Sequence, residues 1–362
     1  MMKYFCLMDK RETTGRQSVF DAKSAHWHFE DHPLPHPGAG ELLVTNEYVT
    51  LCRSDLKTYT GERAEKNPTV LGHEVIGRIL QLGPGAPERD ERGEALQVGD
   101  RLTWAVFASA PGSKMDQLGI PQKSPDLFKY GHEQYTPHQA WHGGLATHTL
   151  LRRHTPVVKI AASVPVKVAA LVNCAVSTIA GALRLAGQLS GKRVLVSGGG
   201  TLGMFACAMA RESGARQIWL SDPKSKRLDW GRRFGADEGV LPREVRKLST
   251  DLVIETSGAP TAMESSFGSL SIGGTAIWVG AVFPQRAVAL SAEQVIRRLI
   301  TIRGLHNYNR RDLVTAAEFV ERYHSRYPMS DLVEREYALP EVQAAFQCGV
   351  QESPFRVGVK IT

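Results

Sequence analysis

Three side chains with metal-binding atoms are spread over the first half of the chain. Cys52 lies in TLCRSDLKTYTG, His73 in VLGHEVIG and Cys174 in ALVNCAVSTIAGAL. Each of them alone is more typical of a protein core. Together, two thiolates and one neutral imidazole would bind Zn²⁺ and leave a fourth tetrahedral position open, which is the format of a catalytic zinc site. Asp55 is placed to hold the His73 imidazole by a hydrogen bond, and Glu74, next to His73, would lie near the metal.

A second site is indicated by RVLVSGGGTLGMFACAMA, residues 193–210, whose pattern predicts a strand, a tight turn and a helix. Gly198, Gly200 and Gly203 fit the G-x-G-x-x-G spacing, which lets the backbone turn sharply and approach a pyrophosphate at the helix N-terminus. Asp222 follows the next predicted strand, and a carboxylate there can hydrogen-bond the adenosine ribose and would repel a 2′-phosphate, which favours NAD. Three basic residues just downstream either soften this preference or form a solvated helix start: Lys224, Lys226 and Arg227.

The elements that position these residues fall into two groups. Residues 1–165 are rich in short β-branched runs separated by Gly and Pro, which predicts a compact antiparallel β domain. From 166 to 305 strands and helices alternate, which is typical of a doubly wound parallel sheet. The tail, 306–362, has a helical pattern and a strand-like end, and we expect it to return to the β domain. The predicted strands are Leu42–Thr50, Val75–Leu80, Pro156–Ile160, Arg193–Val196, Gln217–Leu220, Asp251–Ile254, Thr275–Val279, Thr301–Arg303 and Phe355–Ile361.

Composition indicates a soluble two-domain enzyme. The chain has 362 residues, 42% of them hydrophobic, with 34 Gly and 19 Pro, which excludes a disordered chain. The net charge of +7 is spread along the chain without a basic tract, so it favours steering of anionic ligands over nucleic-acid binding. The five cysteines are scattered, which favours free thiols or metal ligands over disulfides.

Membrane insertion and secretion are not expected. The most apolar segment, Val168–Leu185, is interrupted by polar residues and predicts a buried helix. The first ten residues, MMKYFCLMDK, lack the longer apolar core of a secretory signal, so we expect a cytoplasmic location.

The combined motifs resemble a known family. CRSD at 52–55, GHE at 72–74, GDR at 99–101, NCAVSTI at 173–179 and SGGGTLG at 197–203 are similar to the zinc-dependent medium-chain dehydrogenases that act on alcohols, sorbitol and threonine. The resemblance implies a Rossmann domain at 166–305 and a GroES-like catalytic domain at 1–165 and 306–362. KYGHE at 129–133 and TIRGLHNYN at 301–309 resemble a bacterial subgroup associated with phosphonate catabolism.

The resemblance also implies roles for individual residues. Cys52, His73 and Cys174 would bind one catalytic zinc, and Ser54 would pass the alcohol proton outward. Lys57 stands where some relatives have a proton-relay histidine. An unperturbed lysine, with a pKa of about 10.4, is a poor proton acceptor at neutral pH, so Lys57 either attracts an anionic substrate or the cofactor phosphates, or is solvated. The cofactor-binding residues implied by the family are Arg53, Thr178, Gly198, Gly200, Thr201, Leu202, Gly203, Asp222, Ser257, Val279 and Arg356.

Two departures from the family bear on assembly and on the pocket. Relatives commonly carry four cysteines for a structural zinc, and the corresponding positions here are Ala110, Ser113, Asp116 and Ser124, so no structural zinc is predicted. Relatives form homodimers or homotetramers, often by joining cofactor-domain sheets at an edge, and Thr275–Val279 is the candidate edge strand. Trp104, Phe107 and Trp141 are candidates for an apolar pocket wall or for core packing.

The predicted function is reversible hydride transfer between NAD and a small alcohol, giving an aldehyde or ketone, with zinc as a Lewis acid. The alcohol is either neutral or an anionic hydroxy compound such as a hydroxyalkylphosphonate. Two alternatives remain open. One is a zinc-free quinone or enone reductase of the same architecture, and the other is a non-catalytic NAD-binding protein. Neither a nucleic-acid partner nor a membrane partner is expected.

Overall fold

The computed structural model describes residues 14–361, so Cys6 and the N-terminal segment lie outside the described range. Strands and helices are numbered here in chain order. The strands are β1 Thr14–Asp21, β2 His26–Pro33, β3 Leu42–Thr50, β4 Glu74–Leu82, β5 Arg101–Trp104, β6 Phe107–Ala108, β7 Phe128–Lys129, β8 His148–Leu151, β9 Val157–Lys159, β10 Arg193–Ser197, β11 Gln217–Ser221, β12 Glu238–Val240, β13 Thr250–Glu255, β14 Leu270–Trp278, β15 Thr301–Gly304, β16 Val333–Ala338 and β17 Arg356–Lys360.

Ten α-helices lie between these strands within residues 14–361. They are α1 Arg53–Tyr59, α2 Lys114–Gln117, α3 Val166–Ala169, α4 Ser177–Ala186, α5 Thr201–Glu212, α6 Ser225–Arg233, α7 Pro260–Ser269, α8 Ala292–Arg297, α9 Arg310–Tyr323 and α10 Val342–Gln351. A π-helical turn, Val172–Val176, lies between α3 and α4. The continuous helical stretch Val166–Ala186 is long and apolar enough to cross a membrane, but 83% of its apolar window is buried within the protein. It is therefore a core helix, as its interrupted polar pattern predicts.

The cofactor-domain sheet has six strands in the order β12-β11-β10-β13-β14-β15, and every neighbouring pair is parallel. In chain order this is 3-2-1-4-5-6, the arrangement of a doubly wound dinucleotide-binding sheet. The strand order reverses between β10 and β13, so the loop after β10 opens at the switch point where ligands bind in such sheets. β10 is almost entirely buried, as a strand covered on both faces must be.

A second sheet of seven strands contains β3, β4 and β5 as antiparallel neighbours and is completed by strands from the C-terminal segment. β17 pairs antiparallel with β3, and β16 pairs parallel with β17. The two sheets confirm the predicted fold class, a Rossmann-type parallel sheet beside a mostly β, GroES-like domain.

The C-terminal segment is shared between the two sheets. β16 and β17 join the seven-stranded sheet, as predicted for the tail. α9 instead packs along α4, where Arg184 makes two hydrogen bonds to the Asp312 carboxylate at 2.7 and 3.0 Å. The domain boundaries assigned from the sequence stay a prediction.

The edge of the parallel sheet differs from the expectation. β14, which contains most of the predicted edge strand Thr275–Val279, lies between β13 and β15 and is an inner strand. The edge strand on this side of the sheet is β15, and three of its four residues are exposed. The order of strands in a parallel sheet depends on crossover connections, which the local pattern of β14 does not encode.

Candidate active site

Four metal-binding side chains meet where the two domains adjoin. Ligand atoms of Cys52, His73, Glu74 and Cys174 all lie within 4.8 Å of one another. Two thiols, an imidazole and a carboxylate form a donor set of the kind that zinc prefers. The structure therefore brings together the three ligands predicted from the sequence and places Glu74 beside them, where the sequence led us to expect it.

Asp55 fixes two of these ligands from the first turn of α1. Its Oδ1 accepts a hydrogen bond from His73 Nδ1 at 3.2 Å, and its Oδ2 accepts one from the Cys52 backbone N–H at 2.9 Å. Because Nδ1 is held by the carboxylate, Nε2 is the nitrogen left for a metal. Asp55 is fully buried, so this orientation is rigid.

Cys174 lies in the π-helical turn between α3 and α4, an irregularity that often marks functional sites in helices. Its neighbour Asn173 connects this turn to the strand that follows His73. The Asn173 Nδ2 donates to the carbonyls of His73 and Trp104, both at 2.9 Å, and its Oδ1 accepts from the Val75 N–H at 3.3 Å. Sequence reasoning included Asn173 in a motif but assigned it no role.

A buried ion pair supports Glu74. The Arg356 Nε and Nη2 donate to the two Glu74 carboxylate oxygens at 2.7 and 2.8 Å, and the Thr50 hydroxyl donates at 2.6 Å. The Arg356 Nη1 also donates to the Thr201 hydroxyl at 2.8 Å, at the first residue of α5. Burial opposes the charge of Arg356, but Glu74 raises its pKa. Arg356 therefore links the donor set to the helix that follows the glycine turn.

The thiols and the imidazole share protons in the metal-free protein. The Cys174 thiol, hydrogen-bonded to Cys52, lowers the pKa of Cys52 well below its usual range, and the same bond raises the pKa of Cys174. Burial opposes protonation of His73, but Asp55 and Cys52 outweigh it and raise the pKa of His73 to about 10. These shifts favour a thiolate at Cys52 beside an imidazolium at His73, a charge distribution suited to exchange of protons for a cation.

Ser54 and Lys57 lie on α1, next to the donor set. The Ser54 hydroxyl is 3.5 Å from His73 Nε2, the nitrogen that would face a metal. The Lys57 ammonium lies 3.3 Å from a Glu62 carboxylate oxygen and 4.3 Å from the centre of the Phe283 ring. Lys57 is thus held by local partners.

The glycine turn has the geometry that its spacing predicts. Gly198 has a φ of +105°, which favours glycine, and a Cβ at Gly203 would overlap the Gly198 carbonyl oxygen. Gly200 is the N-cap of α5 and has open space where a Cβ would stand. The N–H groups at the start of α5 are therefore free of steric cover and point toward an anion site.

Basic side chains and Asp222 surround this turn. One Asp222 oxygen accepts from the Gly199 N–H at 2.8 Å, which places the carboxylate directly against the glycine turn. The Arg227 guanidinium stacks at 3.6 Å on the Phe355 ring and donates to the Ser353 carbonyl. The cleft beside the turn is lined by residues that include Arg53, Gly200, Thr201, Arg227, Phe355 and Arg356.

The remaining predicted cofactor residues lie on elements that border the turn. Ser257 is next to Gly198, and its N–H donates to the buried Glu255 carboxylate at 2.9 Å. The Val279 N–H donates to the Glu255 carbonyl, also at 2.9 Å. Thr178 lies four residues after Cys174, and these two are the half-buried positions in an otherwise buried run, 171–180. Leu202 is half-buried in the first turn of α5.

The aromatic candidates for a pocket wall are core residues. Trp104, Phe107 and Trp141 are 1%, 0% and 5% exposed. The interpretation as packing, which the sequence left open, is the one that the structure supports.

The lobe that carries four cysteines in relatives is held here by hydroxyl groups. The Ser124 hydroxyl lies 2.9 Å from the Ser109 hydroxyl and 3.1 Å from the Ser113 hydroxyl. Ser113 also caps the short helix α2, where it accepts from the Asp116 N–H at 3.1 Å. At the far side, Asn309 donates to the Gly119 carbonyl and so attaches the lobe to the start of α9.

The donor set and the glycine turn belong to different sheets and are joined through Arg356. This arrangement defines the class of two-domain metal-dependent dehydrogenases. Comparison with known proteins agrees: residues 38–162 match the model of the alcohol dehydrogenase GroES-like domain, and residues 201–322 match that of zinc-binding dehydrogenases. The chain belongs to the zinc-type medium-chain alcohol dehydrogenase family and is an oxidoreductase of the alcohol dehydrogenase type.

Individual relatives are distant. L-threonine 3-dehydrogenase of Pyrococcus horikoshii is 28% identical over 75% of this chain and 77% of its own length. Acryloyl-coenzyme A reductase of Metallosphaera sedula is 28% identical over 77% of this chain and 80% of its own. Among solved structures, an alcohol dehydrogenase from Thermotoga maritima superposes with a TM-score of 0.88 at 23% identity, covering 96% of this chain and 99% of its own. At that identity the likeness shows the fold.

Proposed function

We propose that this protein catalyses reversible hydride transfer between NAD and a small alcohol, with one zinc ion held by Cys52, His73 and Cys174. The observation that carries the proposal is the donor set, whose atoms lie within 4.8 Å of one another and which Arg356 connects to the glycine turn. A metal and a dinucleotide at these two places would be fixed relative to each other through one buried side chain.

Zinc, when bound, supplies Lewis-acid polarisation of the alcohol oxygen, and the nicotinamide accepts the hydride. The chain's own residues orient these groups. Asp55 holds His73, and Asn173 sets the distance between the strand of His73 and the turn of Cys174. Ser54, 3.5 Å from His73 Nε2 and half-buried, is placed to accept the alcohol proton at its Oγ while its own hydroxyl proton passes outward to solvent.

Cofactor binding is proposed at the cleft beside the glycine turn. The α5 N–H groups and the Arg53 guanidinium would bind the pyrophosphate. Asp222 would accept hydrogen bonds from the adenosine ribose, which favours NAD. A zinc-binding dehydrogenase from Sinorhizobium meliloti, with a TM-score of 0.84 and 21% identity over 97% of this chain and 100% of its own, was solved with NADP. If the Asp222 carboxylate selects NAD, replacing it with Asn should raise the affinity for NADPH relative to NADH, measured by fluorescence titration. An unchanged ratio of the two affinities would show that Asp222 does not select the cofactor.

Lys57 is proposed to lie at the border of the site without accepting the alcohol proton. Its ammonium is engaged by Glu62 and Phe283. The substrate is proposed to be an alcohol with an anionic group, of which a hydroxyalkylphosphonate is one example.

A zinc-free reductase is the competing function. The Metallosphaera sedula relative is named a reductase, which supports this alternative. Such an enzyme would have no use for two thiols and an imidazole held together by Asp55 and Asn173. Metal analysis after purification without added zinc separates the two: a catalytic zinc predicts one zinc per chain, and a zinc-free reductase predicts none.

The decisive test compares variants of two proposed zinc ligands with a variant of a buried cysteine outside the site. Cys52→Ala and His73→Ala should abolish alcohol oxidation while NADH binding, followed by fluorescence, stays within about twofold of the unchanged protein. Cys207→Ala is the matched control, because Cys207 is a fully buried thiol inside α5 away from the donor set. Turnover that survives loss of Cys52 or His73 would refute the zinc mechanism.

We also propose a cytoplasmic homodimer or homotetramer. The exposed edge strand β15 supports association through the parallel sheet, since an unpaired edge can hydrogen-bond a second copy. Light scattering on the purified protein tests this, and a monomer at micromolar concentration would contradict it.

A further inference from the structure

Three cationic side chains from three separate segments gather beside the donor set. Arg63 follows α1, and Lys129 lies in β7. Lys123 ends the short helical turn Pro121–Lys123, in the lobe where the hydroxyl groups of Ser109, Ser113 and Ser124 contact one another. The Lys123 ammonium is 2.6 Å from Nδ1 of His306, a residue that comes from the loop after β15. Burial and the charges of Lys123, Lys129 and Arg63 lower the pKa of His306 to about 4. All three cations therefore act on one neutral imidazole.

This cluster adjoins the donor set through His132. The His132 ring centre is 5.2 Å from that of His73, and His132 Nδ1 lies 3.1 Å from a Glu65 carboxylate oxygen. Glu65 in turn pairs with Arg63. The backbone N–H of His132 donates to the backbone carbonyl of Lys129 at 3.2 Å. Hydrogen bonds and one ring contact thus run from His73 to Arg63 and to Lys129.

The cluster carries excess positive charge. Glu65 opposes Arg63. The nearby Glu133 is occupied: it pairs with Lys66 and accepts from the Lys129 backbone N–H at 3.2 Å. Within residues 14–361, the structure shows no carboxylate in contact with the ammonium groups of Lys123 and Lys129. Burial, together with Arg63 and Lys123, lowers the pKa of Lys129 although Glu65 and Cys174 oppose the shift, so an anion placed there would stabilise its charged form.

We infer that Lys123, Lys129 and His306 form an oxyanion subsite for the substrate, suited to a tetrahedral dianion such as a phosphonate or a phosphate monoester. This inference rests on the proposed function, because the subsite selects the alcohol whose carbon reacts at the donor set. Two ammonium groups without a carboxylate in contact match two negative charges, and His306, which accepts from Lys123 at Nδ1, has Nε2–H left to donate. Arg63 is the third cation at the border of the subsite and is balanced by Glu65.

The test measures binding on zinc-loaded protein saturated with NADH, so that the pyrophosphate cleft is filled. Isothermal calorimetry compares methylphosphonate, methanesulfonate and acetate, which separate a tetrahedral dianion from a tetrahedral monoanion and from a planar one. Methylphosphonate should bind at least about tenfold more tightly than the other two, since the second charge adds a charge-assisted hydrogen bond that each monoanion lacks. Equal binding of the three anions would overturn the subsite.

Matched lysine variants identify the residues. Lys123→Met and Lys129→Met should each weaken methylphosphonate binding about tenfold or more. Lys114→Met is the control, since Lys114 is a lysine of the same lobe outside the cluster and its loss changes the net charge equally. NADH affinity and zinc content show that each variant is folded. Methylphosphonate affinity that is unchanged in both Lys123→Met and Lys129→Met, or lost equally in Lys114→Met, would overturn the proposal.

Oxidation of neutral alcohols separates this inference from the proposed function. If the protein oxidises neutral alcohols but does not prefer methylphosphonate, the subsite is wrong and the dehydrogenase stands. If methylphosphonate binds through Lys123 and Lys129 but no neutral or anionic alcohol is oxidised, the dehydrogenase is wrong. Phosphonate-bearing and phosphate-bearing alcohols, compared by kcat/KM, then distinguish the two sources of the dianion.

Discussion

Replacing Asn173 with alanine is expected to weaken zinc binding specifically. Its side chain is fully buried and joins three backbone groups, the carbonyls of His73 and Trp104 and the N–H of Val75. Each of these groups, left unpaired in the interior, costs about 1–3 kcal/mol. The cost falls on the connection between His73 and the turn of Cys174, so the spacing of two metal ligands is no longer held.

The expected size follows from the position of Asn173 behind the ligands. Losing a side chain that orients metal ligands typically lowers metal affinity about 10- to 100-fold, or about 1.4–2.8 kcal/mol. Competition for zinc with a chromophoric chelator measures this at 25 °C on folded protein. The urea midpoint is measured on the same samples, because the loss of three hydrogen bonds also lowers global stability.

Asn46→Ala is the matched control. Asn46 is also fully buried, and its Nδ2 donates to the carbonyls of Gly144 and Ala146 and to the Thr149 hydroxyl, none of which is a metal ligand. Both variants should therefore unfold at lower urea, and only Asn173→Ala should lose zinc affinity. Equal zinc affinities in the two variants would refute the assignment of Asn173.

Two further outcomes follow from the charges at the site. Arg356→Met should lower the free energy of unfolding by about 3–5 kcal/mol, because it leaves Glu74 buried without its counter-charge. Urea unfolding measures this loss, and the double variant E74Q/R356M should recover part of it. Additive losses from the two substitutions would contradict the pairing. Zinc binding at pH 7 should release protons from His73, whose pKa is raised to about 10, and from Cys174, whose pKa is raised well above its usual range, whereas the lowered pKa of Cys52 makes it the smallest contributor. Calorimetry in two buffers of different ionisation enthalpy counts these protons, and zinc affinity should rise from neutral pH to at least about pH 10, because both His73 and Cys174 must lose a proton; an affinity independent of pH would contradict the proton assignment.

Side-chain chemistry made part of the site predictable from the sequence. Cys52, His73 and Cys174 are soft or borderline ligands, and two thiols with an imidazole together favour a zinc site. Asp55 lies one helical turn from Cys52, within reach of the same ligands. In the parallel sheet, a glycine turn between an apolar strand and an apolar helix is a local pattern, and Gly198 and Gly203 show the close approach that demands it.

The contacts that the sequence did not predict depend on long-range register. Glu74 and Arg356 are brought together because β3 lies between β4 and β17, and no pattern within either strand encodes that order. The same reason explains why β14 was expected at the sheet edge. Trp104 illustrates a different limit: alternation along a strand shows which residues share a face but not whether that face meets the core or a cleft.

Arg356 connects the metal site to the glycine turn proposed to bind the cofactor. One guanidinium donates to Glu74 beside the thiols and to Thr201 at the start of α5. Moving the two sheets apart would break the hydrogen bonds of the Thr201 hydroxyl with Arg356 and with the Phe355 carbonyl, at 2.8 and 2.9 Å. The ion pair of Arg356 with Glu74 lies within the seven-stranded sheet and fixes the guanidinium that makes this contact. The distance between the donor set and the N-terminus of α5 is therefore held by buried hydrogen bonds as well as by packing. Hydride transfer requires such a fixed distance, because the reacting carbon and the nicotinamide must approach within about 3–3.5 Å.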